Sequence, residues 1–260
     1  MQNIRKIFPP ENGLAICHLG QAGFSIKNHE GTLVVIDAYL SDAVEREFGF
    51  KRMTPAVVTP NELEADYWLS THSHLDHLDT DALPIVATCE KTFFVGAPDC
   101  EEIYRKFGIP ANRYAIIPEN GQKIFPGLTV RGVFADHGEL APDALGLLMD
   151  FDGIKVFHTG DTCFAPEKIK ASLNTAIDVL IAPINGQFGN MTAREAVELA
   201  NILKPKRVIA AHFWMFLEHV GEKGTGDPAT FLLEADKILG KTEILPVVLS
   251  PGEIFLYERE

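Results

Sequence analysis

"DYWLSTHSHLDHLD", residues 66–79, is a short apolar run that leads directly into three of the nine histidines in the chain. In an extended backbone, side chains two positions apart point the same way, so His72 and His74 are expected to converge on one metal ion. After the following turn, Asp76 and His77 are expected to face a neighbouring position. The stretch therefore predicts two adjacent metal sites. The alternative is a solvated loop that happens to be rich in histidine.

Three more residues of ligand type follow, each at the end of an apolar run. GVFADHG carries His137, KVFHTGDT carries Asp161 and VIAAHFW carries His212. In α/β proteins the ends of strands are where sites are built. Each residue taken alone has an ordinary alternative as a turn or core residue, and their shared position is what points to metal binding.

Short apolar or β-branched runs between turn residues predict strands along the whole chain. The predicted strands are LAICHLG, FSIK, TLVVID, YWLS, TFFVG, LTVRGVFA, LGLLMDF, IKVFHTG, VLIAPI, RVIAAH, LPVVLS and EIFLY. Helices are predicted at about 98–107, 192–203 and 228–239, and Thr192 with Glu195 forms a capping box at the start of the second. The alternation of strands and helices indicates an α/β protein.

Composition narrows the range of functions. The net charge of −13 argues against sequence-independent binding to nucleic acid or to an anionic membrane, because such surfaces are held by Lys and Arg. The four cysteines have no C-x-x-C spacing, and no apolar run approaches the roughly 20 residues that span a bilayer. MQNIRKIFPPENG also lacks the apolar core of a signal peptide. We expect a cytoplasmic protein.

The chain has HxHxDH after an apolar strand, followed by a His, by an Asp in a TGD turn and by a late His. This order resembles the metallo-β-lactamase superfamily. The resemblance runs from HLGQAGFSI near residue 20 to SPGEIF near residue 250. It implies an α/β fold, a four-layer αββα sandwich in a single domain over residues 1–260, with metals at one edge between two sheets. The ligand set that it implies is His72, His74 and His137 for a first ion, Asp76, His77 and His212 for a second, and Asp161 as the bridge.

Such a ligand set predicts a metal-dependent hydrolase. A divalent ion lowers the pKa of its bound water towards about 7, so the nucleophile is metal-borne hydroxide. Asp76 is the predicted catalytic residue, because it can orient that hydroxide and carry a proton to the leaving oxygen. Imidazole and carboxylate ligands suit Zn, Mn and Fe, of which we expect Zn or Mn, with one or two ions bound.

Within the superfamily, YLSDAVEREFGFKRMTP, HTGDTCF and INGQFGNMTAREA are most similar to the L-ascorbate-6-phosphate lactonase branch. That similarity implies a small-molecule substrate, a sugar lactone that carries a phosphate or is otherwise anionic. Lys51 and Arg52 are candidates to hold the anion, the alternative being a solvated basic pair. Asn185, Gln187 and Asn190 are candidates for substrate binding at a helix start, the alternative being a plain lead-in to that helix.

Two other functions stay open at this stage. A phosphodiesterase would use the same metal chemistry, and a non-catalytic metal-binding protein would keep the same ligands. The 50 residues between Asp161 and His212 leave no space for the extra domain that nucleic-acid-processing relatives insert there. We therefore expect no nucleic-acid or membrane partner, and the sequence leaves a homo-oligomer open.

Overall fold

A computed structural model describes residues 4–221 and 226–259 of the chain. The chain divides into two compact units. Unit 1 comprises residues 4–118, 216–218 and 249–259, and unit 2 comprises residues 119–215 and 219–248 as far as they are described. The sequence predicts a single domain over residues 1–260, and that expectation stays a prediction.

Unit 1 is built on a mixed seven-stranded sheet in the order β14-β1-β2-β3-β4-β5-β6. Its strands are β1 (Gly13–Gly20), β2 (Gly23–Asn28), β3 (Leu33–Ile36), β4 (Tyr67–Ser70), β5 (Phe93–Gly96), β6 (Tyr114–Ile116) and β14 (Ile254–Glu258). Its helices are α1 (Ala43–Phe48), α2 (Pro60–Leu63), α3 (Ala82–Ala87) and α4 (Cys100–Lys106). Strands β3 to β6 run parallel, so their carboxyl ends lie at one edge of the sheet.

Unit 2 repeats this plan with a second mixed seven-stranded sheet, in the order β13-β12-β11-β10-β9-β8-β7. Its strands are β7 (Gln122–Phe125), β8 (Leu128–Phe134), β9 (Leu145–Phe151), β10 (Ile154–His158), β11 (Val179–Pro183), β12 (Arg207–Ala211) and β13 (Leu245–Val247). Its helices are α5 (Pro166–Leu173), α6 (Ala193–Leu203) and α7 (Pro228–Leu239). Strands β10 to β13 run parallel.

The apolar runs of the sequence become the centres of these sheets. Every residue of β1, β3, β4 and β11 is buried, which is typical of strands that are covered on both faces. In unit 2, Phe157 and Leu180 of the sheet belong to one core cluster with Val197 of α6 and Phe231 of α7. Burying each such side chain contributes about 1.5–3 kcal/mol, so this cluster fixes both helices on the sheet.

All twelve predicted strands and all three predicted helices are present, with small shifts at their ends. The capping box is confirmed, since the Thr192 side chain accepts from the Glu195 N–H and the Glu195 side chain accepts from the Thr192 N–H. The sequence missed β6, β7, α1, α2, α3 and α5. These are short elements of three to eight residues, and β7 is mostly exposed, so none has a periodic apolar pattern long enough to detect.

Within residues 4–221 and 226–259, none of the helices is both long enough and apolar enough to cross a lipid bilayer.

Candidate functional site

In unit 1, four of the predicted ligands lie in the loop that follows β4. His72 and His77 are completely buried, whereas His74 and Asp76 are half-buried. The His72 Nε2 atom lies 3.0 Å from His74 Nδ1. Metal–nitrogen bonds of about 2.0–2.1 Å place two ligands of one ion roughly 3 Å apart, so this spacing fits a shared ion. That the two imidazoles share an ion stays a prediction.

Asp37, directly after β3, orients two of these imidazoles. Its Oδ2 atom lies 2.9 Å from His77 Nδ1 and also accepts a hydrogen bond from the Thr71 hydroxyl at 2.7 Å. Because that hydroxyl donates to Asp37, it is left to accept from His72 Nδ1, which lies 3.1 Å away. These contacts favour the tautomer of both histidines with the proton on Nδ1, which would let Nε2 of each ring bind a metal ion, as carboxylates behind histidine ligands commonly do.

The other end of the loop that follows β4 is anchored by Asp79, which is buried. Its carboxylate accepts hydrogen bonds from the backbone N–H groups of Leu40 and Ser41 at 2.8 Å. It also accepts from the N–H groups of Asp81 and Ala82 at the start of α3, and from the Ser41 hydroxyl. A carboxylate with this many donors is fixed in place, so the loop between Thr71 and Asp79 is held at both ends.

In unit 2, Asp161 lies between two predicted histidine ligands. Its Oδ1 atom is 3.2 Å from His212 Nε2, and its Oδ2 atom is 3.7 Å from His137 Nε2. All three side chains are buried. Because each carboxylate oxygen faces a different imidazole, Asp161 is suited to bridge two ions. His212 has a φ of 56°, an uncommon conformation for a residue with a side chain, and such strain is concentrated at functional sites.

The turn that carries Asp161 is fixed by its own strand. His158, at the end of β10, is buried and its Nδ1 atom accepts a hydrogen bond from the Gly160 N–H at 3.0 Å. Gly160 itself has a φ of 61°, which a residue without a side chain adopts at little cost. His158 is therefore a buried structural histidine that shapes the turn.

The chain thus contains groups of His and Asp side chains that could hold a metal ion, and all seven predicted ligands belong to these groups. The donor set of imidazole nitrogens with carboxylate oxygens suits Zn, Mn or Fe.

Of the two predicted anion-binding residues, Lys51 is exposed, whereas Arg52 is largely buried. The Arg52 guanidinium donates to the carbonyl oxygens of Tyr39, Ser41 and Thr54 at 2.8–3.0 Å, and it stacks 4.7 Å above the Tyr39 ring. Burial lowers the pKa of Arg52 and raises that of Tyr39 to about 12. Since Nε and both terminal nitrogens each donate to a carbonyl, Arg52 links loops of unit 1. That it also holds an anion stays a prediction.

We expect Arg52→Met to reduce the free energy of unfolding by about 2 kcal/mol or more, because buried carbonyls lose their charged donor. Urea denaturation measures this change. Lys51→Met is the matched control, and as an exposed substitution it should change stability by less than about 0.5 kcal/mol. Loss of catalysis on an anionic substrate in Arg52→Met without any loss of stability would contradict the structural role.

The three predicted substrate residues of unit 2 lie in the loop between β11 and α6. Asn185 and Asn190 are buried, whereas Gln187 is half-buried and its Oε1 atom lies 3.2 Å from His219 Nδ1. The ring of His219 in turn packs 5.3 Å from that of Phe188. The loop between β11 and α6 is therefore in contact with the segment that follows His212.

The sequence did not predict that Asp37, Thr71 and Asp79 support the proposed ligands. The available signal was weak. Asp37 ends the run GTLVVID, as Asp161 follows GIKVFHTG, but only the second Asp has a histidine within three positions. The contact of Asp37 with His77 joins residues 40 positions apart, which no local pattern could predict.

Comparison with known proteins identifies the family of the chain. The model of the "Beta-lactamase superfamily domain" matches residues 32–213, which places the chain in the metallo-β-lactamase superfamily. A UPF0173 metal-dependent hydrolase of Archaeoglobus fulgidus is 30% identical over 258 residues, 95% of this chain and 100% of that protein. Another, of Natranaerobius thermophilus, is 35% identical over 203 residues, 76% of this chain and 84% of that protein. The chain therefore belongs to the UPF0173 metal-dependent hydrolase family.

Solved structures agree on the fold. A metallo-hydrolase of Ignicoccus hospitalis is 22% identical and matches with a TM-score of 0.74 over 95% of this chain and 100% of that chain. With the two mixed sheets and their helices, this match confirms the predicted α/β class and the metallo-β-lactamase fold. The predicted assignment to the ascorbate-6-phosphate lactonase branch is not confirmed by these matches.

Proposed function

We propose that this member of the metal-dependent hydrolases opens a lactone ring, with one or two divalent ions held by the predicted ligands. The observation that carries the proposal is the orientation of His72 and His77 by Asp37 and Thr71, which leaves Nε2 of each ring available to a metal. Buried imidazoles that are prepared in this way are typical of metal centres. The lactone as substrate rests on the similarity of YLSDAVEREFGFKRMTP, HTGDTCF and INGQFGNMTAREA to lactonases.

The proposed ligands are divided as the superfamily resemblance implies. The first ion is assigned to His72, His74 and His137, the second to Asp76, His77 and His212, and Asp161 is assigned to both. The two carboxylate oxygens of Asp161, which face different histidines, support the bridging role. Zn and Mn are the proposed metals, and the same ligands would also accept Fe.

A divalent ion held by this set would lower the pKa of a bound water molecule towards about 7 and so would provide a nucleophile at neutral pH. The half-buried carboxylate of Asp76, with Oδ2 3.9 Å from His77 Nε2, is proposed to orient the attacking water and to take up its proton. The water oxygen bonds to the lactone carbonyl carbon and the ring C–O bond breaks. Asp76 then gives its proton to the ring oxygen, which leaves as a hydroxyl group.

The test is a comparison of substrates on one protein sample with a measured metal content. The metal-stripped protein is reloaded with Zn or Mn and assayed with D-gluconolactone, its 6-phosphate, an acyl-homoserine lactone and bis-(p-nitrophenyl) phosphate. We expect turnover of a lactone that requires added metal. Turnover of the phosphodiester alone would replace the proposal with a phosphodiesterase. Bound metal without turnover of any of the four would indicate a metal-binding protein.

A further inference from the structure

The loop between β11 and α6 is fastened to residues next to two proposed ligands, all within unit 2. At its start, the Ile184 N–H donates to the Ala211 carbonyl at 3.0 Å, and Ala211 directly precedes His212. Near its end, the Met191 N–H donates to the Thr162 carbonyl at 3.0 Å, and Thr162 directly follows Asp161. The loop therefore lies beside the ligands that unit 2 contributes.

Two asparagines of this loop have amide groups that are buried and incompletely satisfied. Asn185 is fully buried, and its Nδ2 atom lies 3.3 Å from the Met215 sulfur. Because sulfur can only accept here, this contact fixes the amide orientation and leaves Oδ1, which has no donor among the described residues. Asn190 is 6% exposed, and neither its Oδ1 nor its Nδ2 atom has a partner in the described parts of the chain.

The loop does not need these amides to keep its conformation. Its backbone is closed by hydrogen bonds from the Gly186 N–H to the Met191 carbonyl and from the Asn190 N–H to the Gln187 carbonyl. Its far end is fixed by the capping box at Thr192. A buried polar atom without a partner costs about 1–3 kcal/mol, so two such residues beside a proposed metal centre indicate that a ligand completes them.

We propose that Asn185 and Asn190 select a hydroxyl-bearing substrate; this inference rests on the proposed hydrolysis of a lactone and specifies its chemistry. Asn185 Oδ1 requires a hydrogen-bond donor, which an ionised phosphate or carboxylate does not have. A hydroxyl group both donates and accepts, so it can satisfy Asn185 Oδ1 and either amide atom of Asn190.

The experiment measures the preference for hydroxyl groups, as the ratio of kcat/KM for D-gluconolactone to that for δ-valerolactone, which lacks hydroxyls. Loss of one such hydrogen bond corresponds to about 10–100-fold, so we expect Asn190→Leu to lower this ratio by that factor. Binding of D-gluconate against 5-hydroxypentanoate, followed by calorimetry, should change in parallel, and metal content should not change. A ratio that Asn190→Leu leaves unaltered overturns the inference even if lactones are hydrolysed.

Stability gives a second, independent measurement. Because the Asn190 amide makes no hydrogen bond to the described residues, Asn190→Leu should leave the melting temperature unchanged or raise it. Asn201→Leu is the control, since Asn201 Oδ1 accepts from Lys204 at the surface, and it should leave the substrate ratio unchanged. A clear fall in stability of Asn190→Leu would show that the amide has an internal role and would overturn the inference. If wild type hydrolyses no lactone, the proposed function fails, and the calorimetric preference still tests the asparagines.

Discussion

His74→Ala is expected to lose both bound metal and at least about 100-fold in hydrolytic activity. Loss of an outer partner of a ligand already costs about 10–100-fold in metal affinity or activity, and loss of the ligand itself should cost more. His74 is half-buried and contributes its Nδ1 atom to the 3.0 Å contact with His72 Nε2. Its removal leaves His72 without the neighbouring donor atom. Metal content by elemental analysis and initial rates at fixed added metal measure the two effects.

His29→Ala is the matched control for that substitution. His29 is also in unit 1, but it is exposed and its Nδ1 atom contacts the Pro9 carbonyl at 3.1 Å. We expect this variant to keep its metal and its activity. Circular dichroism should show that both variants are folded. A folded His74→Ala protein with the metal content and rate of wild type would remove His74 from the proposed ligands and with it the assignment of the first ion.

Asp37→Asn is expected to lower metal affinity or activity by about 10–100-fold although Asp37 is not itself a proposed ligand. The carboxylate accepts from the Thr71 N–H, the Thr71 hydroxyl and His77 Nδ1. An amide keeps one acceptor oxygen and replaces the other with a donor, so it cannot satisfy all three. Asparagine tolerates the φ of 48° at this position, so the backbone is not the cause of any loss. Titration with a competing chelator measures the metal affinity.

Asp66→Asn separates the role of Asp37 from an effect on stability. Asp66 lies directly before β4 of the same sheet and accepts from the Leu33 N–H at 2.9 Å, but it pairs with Lys91 at the surface. Both variants should lose some stability, because each weakens a hydrogen bond to the backbone. Only Asp37→Asn should lose metal affinity when both are compared well below their melting temperatures. An equal affinity in the two variants would reduce Asp37 to a structural residue.

The sequence predicted the fold well because its signals are local. Apolar runs such as LVVI and VLIAP become strands that are buried on both faces, and the cap at Thr192 sets the start of α6. The sequence did not predict that the Arg52 side chain is buried and bonded to backbone carbonyls. Two of these carbonyls, at Tyr39 and Ser41, lie 13 and 11 positions away. A basic pair in a turn has the same local pattern whether its side chains are solvated or buried.

By itself, the amino-acid sequence determined the order of the strands along the chain and the types of side chain at their carboxyl ends, from His72 to His212. These follow from periodicity and spacing, which act between near neighbours. Only the tertiary structure decided which imidazole nitrogen of His77 contacts Asp37, and which asparagine amides are buried without a partner among the described residues. Both depend on contacts between distant segments, such as the 40 positions that separate Asp37 from His77, and on the exclusion of water when those segments pack.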